Sequence, residues 1–182
     1  MKRALAIGLM LLSFAAAGCN EKTSESLPPP QKLTSDATGH YCGMALIEHP
    51  GPKGQIILAS RSDPVWFSSA RDAFSFTMLA EESKDVRAVY VSDMGKAPSW
   101  EKPGVDNWIE AHQAFFVIGS RKQSGMGAPE TVPFSDRSAA DKFAEANGGR
   151  VVSFSEVPPD YVLNSDTGAD DASKTSATSA SR

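Results

Sequence analysis

The sequence predicts an α+β fold in which two homologous ββαβ units pack together, and three observations carry that reading. Patterns of strand, strand, helix and strand occur in that order over residues 55–91 and again over residues 109–154. Phe67-Ser68 stands before the first helix and Phe134-Ser135 before the second. Arg87 opens the closing strand of the first set and Arg150 that of the second. Chance similarity of short strand and helix signals is the competing explanation. Each unit of roughly 60 residues has limited core of its own, so the two are expected to pack together and to leave a site in the cleft between them.

The chain starts with segments that lie outside this body. Lys2 and Arg3 precede an apolar run over residues 4–14, and Ala15-Ala16-Ala17-Gly18 leads to Cys19. A basic end, a short apolar core and a small-residue exit describe a secretory signal, too short to remain as a spanning helix. Residues 1–18 are therefore expected to be removed. The stretch resembles a lipoprotein signal, in which Cys19 becomes the lipidated first residue of the mature chain, although Ala16 stands where Leu is usual. An ordinary cleaved signal with an incidental Cys19 is the alternative. Asn20 rather than Asp follows the cysteine, so nothing marks retention in the inner membrane, and the choice between inner and outer membrane stays open.

Residues 19–37 are polar and rich in proline, the composition of a tether. The first unit is expected over 38–98. In it Gln55-Ile56-Ile57-Leu58-Ala59 and Pro64-Val65-Trp66-Phe67-Ser68 read as strands, 70–82 as a helix carrying Phe74, Met78 and Leu79 at helical spacing, and 86–91 as a strand. The second unit is expected over 99–163. Residues 109–118 read there as one strand, with His112 in it, and 131–134 as a short one. Ser135 is expected to cap a helix over 136–146, Gly148-Gly149 to stop it, and 150–154 to close the unit. Residues 164–182 are Ser, Thr, Ala and Asp without a large apolar side chain, a composition that predicts a disordered tail.

The 182 residues are 41% hydrophobic and 22% charged, ordinary for a globular chain, with a net charge of −4. Phosphate binding needs clustered Lys and Arg, so nucleic acid is not an expected partner.

The candidate site is Thr38-Gly39-His40-Tyr41-Cys42-Gly43-Met44. It sets a thiol and a thioether two positions apart with an imidazole nearby, and soft donors of this kind select Cu(I). In an extended segment Cys42 and Met44 share a face, with α-carbons about 6.5 Å apart, and Gly43 allows a tighter bend. A buried cysteine and a packing methionine fit the same spacing. The cysteine arithmetic favours a ligand. With Cys19 lipidated, Cys42 is the only remaining thiol of an exported protein, and a lone thiol in an oxidising compartment invites damage unless buried or employed.

One thiolate and one thioether leave an ion under-coordinated, so a third soft donor is sought in the second half. Met126, in the loop Ser124-Gly125-Met126-Gly127-Ala128-Pro129, lies where no helix or strand face requires it. Its alternative role is to cover a hydrophobic edge. Met94 in Asp93-Met94-Gly95 is a further possible ligand, and His40 a possible ligand or tuner of the thiolate. His49 and His112 read more simply as hydrogen-bonded structural residues. Trp66, Trp100 and Trp108 read as packing, and Asp63, Asp72 and Asp93 lack metal-site spacing. Cys42 as nucleophile with His40 as base is the rival enzymatic reading. A plain assembly scaffold is the other.

Together with the signal, an ordered set of motifs resembles the NosL family: Cys42-Gly43-Met44, Asp93-Met94, Trp108 with Ala111, Met126-Gly127, Phe134, Ala139-Ala140 and the run Gly148-Gly149-Arg150-Val151-Val152-Ser153-Phe154. The resemblance implies a periplasmic, membrane-tethered Cu(I) carrier that helps assemble the copper centres of nitrous oxide reductase beside an ABC-type transporter complex. It also implies a fold of two ββαβ units similar to organomercurial lyase, with the family's Cys-x-Met on Cys42 and Met44 and its Met-Gly on Met126 and Gly127. That lyase uses a pair of cysteines with an acid, so lyase activity is not expected of a body with one thiol.

Overall fold

The computed structural model describes residues 26–164. The expected signal peptide, the expected lipidation site Cys19, the first part of the expected tether and the expected tail from residue 165 onward lie outside the described residues. The first set of elements is β1 (Gly54–Leu58), β2 (Val65–Phe67), α1 (Ala70–Met78) and β3 (Val86–Ser92). After β4 (Trp108–Glu110) the order recurs as β5 (Phe115–Ile118), β6 (Val132–Phe134), α2 (Arg137–Asn147) and β7 (Arg150–Ser153), followed by α3 (Pro159–Leu163).

Both sheets are antiparallel, ordered β2-β1-β3-β4 and β6-β5-β7, so each repeat places its first strand in the middle. The register repeats as well. Gly54 pairs with Phe67 and Val91, as Phe115 pairs with Phe134 and Ser153. Carried along the strands, this pairs Ile57 with Ala88 and Ile118 with Arg150. The counterpart of Arg150 is thus Ala88. The expected match of Arg87 with Arg150 is off by one residue, because the ladder is irregular between Ile57 and Leu58 and Arg87 falls at that bulge.

The expected single strand over 109–118 is divided. Trp108–Glu110 joins the first sheet, Ala111–Gln113 makes a 3₁₀ turn, and Phe115–Ile118 is the middle of the second sheet. Ala111 and Ala114 are both buried, and such small side chains let the chain cross between sheets through the core. His112 therefore lies in a turn rather than a strand.

Helix α1 is capped by Ser69, whose hydroxyl accepts from Asp72 N–H at 3.0 Å. It stops at Met78, short of the expected residue 82, where the Lys84 ammonium donates to the carbonyls of Thr77 and Leu79. The cap of α2 is Asp136, which accepts from Ala139 N–H at 2.8 Å, and not Ser135. Ser135 instead donates its hydroxyl to the buried Asp93 carboxylate and its N–H to the same group at 3.1 Å.

One core serves both sheets. Ile56, Leu58, Val89 and Val91 of the first meet Phe116, Ile118 and Val152 of the second around Phe74 and Phe76 of α1. The opposite face of β5 packs Val117 under α2, so that strand is covered on both sides.

Residues 28–37, read from composition as part of the tether, are laid on the first sheet. Gln31 and the buried Gln55 exchange two 2.8 Å bonds, Leu33 N–H donates to Val105 O at 2.7 Å, and Tyr90 donates to Pro28 O at 2.7 Å. Leu33 and Ala37 are buried with Leu46 beside Trp66 and Trp108. Composition reads the stretch as part of a tether, but its few apolar side chains and these hydrogen bonds dock it.

Candidate metal centre

Residues 38–45 form a closed turn and not the extended segment considered from spacing. Thr38 and Ala45 make an isolated antiparallel bridge, Gly39 N–H donates to Met44 O at 3.0 Å, and Gly43 N–H donates to Gly39 O at 2.8 Å. Gly43, at φ 65°, supplies the left-handed step. The turn is fastened at both flanks, by His40 N–H on Trp66 O at 2.7 Å and Leu46 N–H on Ala37 O at 3.0 Å. Cys42 is a half-buried free cysteine, and Met44 is 40% exposed.

The Cys42 sulfur rests against Gly39. A Cβ added there would meet Sγ at 2.5 Å, with Leu46 and Ser68 also in contact. Gly39→Ala is therefore expected to displace the thiol and lower Cu(I) affinity by about tenfold or more while β1 to β3 persist, checked by chelator competition beside far-UV circular dichroism.

Met126, 52% exposed, sits at the tip of a second tight loop. Gln123 and Pro129 bridge its base, Ser124 N–H donates to Ala128 O at 2.8 Å, and the Ser124 hydroxyl takes the N–H groups of Met126 and Ala128, each at 3.3 Å. This loop lies against the segment that follows Met44. A Cβ on Gly125 would be 2.9 Å from His49 Cβ and 3.2 Å from Pro50 Cδ. The structure thus sets the loop carrying Met126 beside the chain that leaves Cys42 and Met44.

His40 is turned to other partners. Its Nε2 lies 3.3 Å from Glu82 Oε1 and its ring packs on Phe67 and Phe76. Tyr41 donates to the same carboxylate oxygen at 2.9 Å, and burial, then that hydrogen bond, push its phenol well up, so it stays a donor. Met94 is half-buried in the second core, its N–H on Pro133 O at 2.9 Å. His112 bonds Glu110 at 2.6 Å and packs on Phe154. Among the described residues no three His, Cys, Asp or Glu side chains group as a metal site.

Sequence reasoning missed two buried ionisable side chains, Glu130 next to the Met126 loop and Lys53. Glu130 has no exposure and Lys53 only 1%. Glu130 Oε1 accepts from Arg71 N–H at 3.0 Å and from its neighbour Thr131 N–H at 2.9 Å, while Lys53 donates to Pro50 O and Gly51 O at 3.2 and 2.6 Å. No sequence signal distinguishes a buried carboxyl from an exposed one.

Burial pushes Glu130 up from 4.5 to about 8, despite the two N–H donors. The unfolded chain loses this proton first as pH rises. The stability this group contributes is therefore complete below 4.5 and lost as pH climbs to about 8. Glu130→Gln, which stays neutral, is expected to flatten the decline in unfolding free energy between pH 5 and 8, measured by urea titration at several pH values.

A repeated ββαβ body with a half-buried cysteine and exposed Met44 in one closed turn, and exposed Met126 on a second tight loop, is the class of protein this fold and these residues define. The chain belongs to the NosL family, whose model matches residues 30–162. It is 44% identical over 160 residues to the copper-binding lipoprotein NosL of Achromobacter cycloclastes, covering 87% of this chain and 80% of the relative. It is 34% identical over 150 residues to the protein of the same description from Stutzerimonas stutzeri, covering 81% and 76%. The crystal structure of the copper chaperone NosL from Shewanella denitrificans superposes with a TM-score of 0.68 at 37% identity, covering 72% of this chain and 98% of that one.

Proposed function

We propose that this protein is a lipid-anchored, periplasmic, non-enzymatic carrier of Cu(I), which delivers the ion for the copper centres of nitrous oxide reductase beside an ABC-type maturation complex. The observation that carries the reading is the half-buried Cys42 in a fixed turn beside exposed Met44, with the Met126 loop against His49 and Pro50, a few residues further along the chain. Relatives named copper-binding lipoproteins and a copper chaperone support it.

Copper is the cargo. The Cys42 thiolate supplies charge and affinity, and the thioethers of Met44 and Met126 supply soft contacts that need no deprotonation. An incoming donor set displaces the neutral thioethers first and the thiolate last, so the ion passes over without being released to water. Tyr41, Met44, Ile47 and Met126 are large apolar side chains left exposed around these loops, a surface suited to closing over the exchange in a docked partner. A lipid on Cys19 keeps the encounter near the membrane and raises its effective concentration.

The test is complementation. In cells whose own copy is deleted, the wild-type chain restores copper to the reductase, and Cys42→Ala, exported to the same level, does not. Full copper loading of the reductase with Cys42→Ala removes the carrier reading in favour of a scaffold.

A further inference from the structure

The copper reading leaves unexplained why a carboxyl is buried at the base of the Met126 loop. Removing a carboxyl from water costs several kcal/mol unless its bonds repay it. An apolar side chain would fill the same space without that cost, so the position is explained by what the oxygen holds. Glu130 Oε1 accepts from Arg71 N–H, one of the first-turn donors of α1 that have no partner within the helix. Ser69 caps the next donor, Asp72 N–H, from the helix's own chain. Glu130 caps Arg71 N–H from the other half of the molecule.

That bond is one side of a closed figure. The Arg71 guanidinium donates to Val162 O and Asn164 O, each at 2.9 Å, which seats α3 on α1. Tyr161 of α3 donates at 2.9 Å to the main-chain oxygen of Glu130 and accepts from Gly119 N–H at 3.0 Å. Side chain and main chain of Glu130 are thus tied to α1 and α3 respectively, immediately after the Gln123–Pro129 bridge that closes the Met126 loop. The loop is rigid within itself, through Ser124, and this anchor fixes where the rigid unit stands. Its tip then meets His49 and Pro50 through Gly125.

We propose that Glu130 is the positioning residue of the copper site, its trans cap on α1 holding the Met126 loop against His49 and Pro50, which follow the Cys42–Met44 turn. The inference rests on the proposal that Met126 is a ligand. Glu130 itself touches no ion.

The test is Cu(I) affinity by competition with a chromophoric chelator for the wild type, Met126→Ala, Glu130→Ala, Glu130→Asp, Glu130→Gln and the double variant Glu130→Ala with Met126→Ala. Met126→Ala is expected to weaken binding about tenfold, and Glu130→Ala by a similar factor. The double variant is expected to bind no more weakly than Met126→Ala alone, because a mispositioned sulfur and an absent one are equivalent. Glu130→Gln keeps wild-type affinity, since its amide oxygen accepts the same two N–H groups. Glu130→Asp, one methylene short of Arg71 N–H, behaves like Glu130→Ala and serves if the alanine variant does not fold.

Copper-edge absorption gives the readout that general loosening does not move: one sulfur fewer in Glu130→Asp, the same count as in Met126→Ala. Additive losses in the double variant, or wild-type affinity in Glu130→Asp while Met126→Ala is weakened, overturn the positioning role and leave Met126 a ligand. Wild-type affinity in Met126→Ala removes the ligand reading, and the positioning role with it.

Discussion

Replacing Cys42 by alanine is expected to lower Cu(I) affinity by at least about a hundredfold, the upper end of what loss of a mere supporting group does at a metal site. The reason is chemical. Thioethers are neutral and bind through polarisability alone, whereas a thiolate brings a full negative charge to a monovalent soft ion. In the proposed site, loss of Cys42 leaves only the uncharged thioethers of Met44 and Met126.

The fold is expected to survive, because the turn is held by backbone bonds from Gly39, Gly43, His40 and Leu46 and by none from the thiol. Chelator competition on the wild type and the variant, with thermal unfolding of both, separates the two effects. A variant that unfolds at the same temperature and has lost copper confirms a ligand. Equal copper affinity in both proteins makes Cys42 a packing residue.

The largest effect on stability is expected at Phe74. Its ring is 1% exposed and meets Phe116 of β5 at 4.9 Å and Phe154, just beyond β7, at 4.6 Å, while its helix packs on β1, β2 and β3. Phe74→Ala opens a cavity between the two sheets and is expected to cost about 3–5 kcal/mol, a large share of the roughly 5–15 kcal/mol that holds a domain together. Because the core is shared, both halves should unfold in one transition, followed by far-UV circular dichroism for the whole and by tryptophan fluorescence in a Trp100→Phe background, which leaves Trp66 and Trp108 to report the first sheet. A loss below about 1 kcal/mol, or two separated transitions, contradicts a common core.

The repeat was legible because both copies carry the same punctuation. Phe67 and Phe134 each end an edge strand opposite the first residue of a central one, and each precedes a helix. Local features failed where tertiary contacts decide. Residues 109–118 contain no turn residue and so read as one strand, and only the crossing between sheets at Ala111 divides them. Ser135 has the chemistry of a cap, yet a buried Asp93 competes for its hydroxyl and Asp136 takes the helix. Docking of residues 28–37 draws on distant partners, Gln55 for Gln31 and Leu46 for Leu33 and Ala37, which composition alone does not reveal.

At the site, Cys42, Met44 and Met126 stood out because their sequence settings, glycine-flanked turns, offered no periodic face for them to pack on. Glu130 could not be found this way. A lone Glu before a Thr-Val-Pro-Phe strand looks like any solvated loop residue, and its role comes from Arg71 N–H, distant in the chain and brought near only by packing the two halves together. Met94 shows the reverse. Its setting, Asp93-Met94-Gly95, resembles that of Met126, but the side chain is drawn under α2 with Phe134 and Phe143.

The most direct measurement is copper K-edge X-ray absorption on the full mature protein loaded with one equivalent of Cu(I). A first shell of sulfur donors that loses one sulfur in Cys42→Ala is the predicted result. A shell dominated by nitrogen or oxygen, or a sulfur shell unchanged by that substitution, contradicts the account.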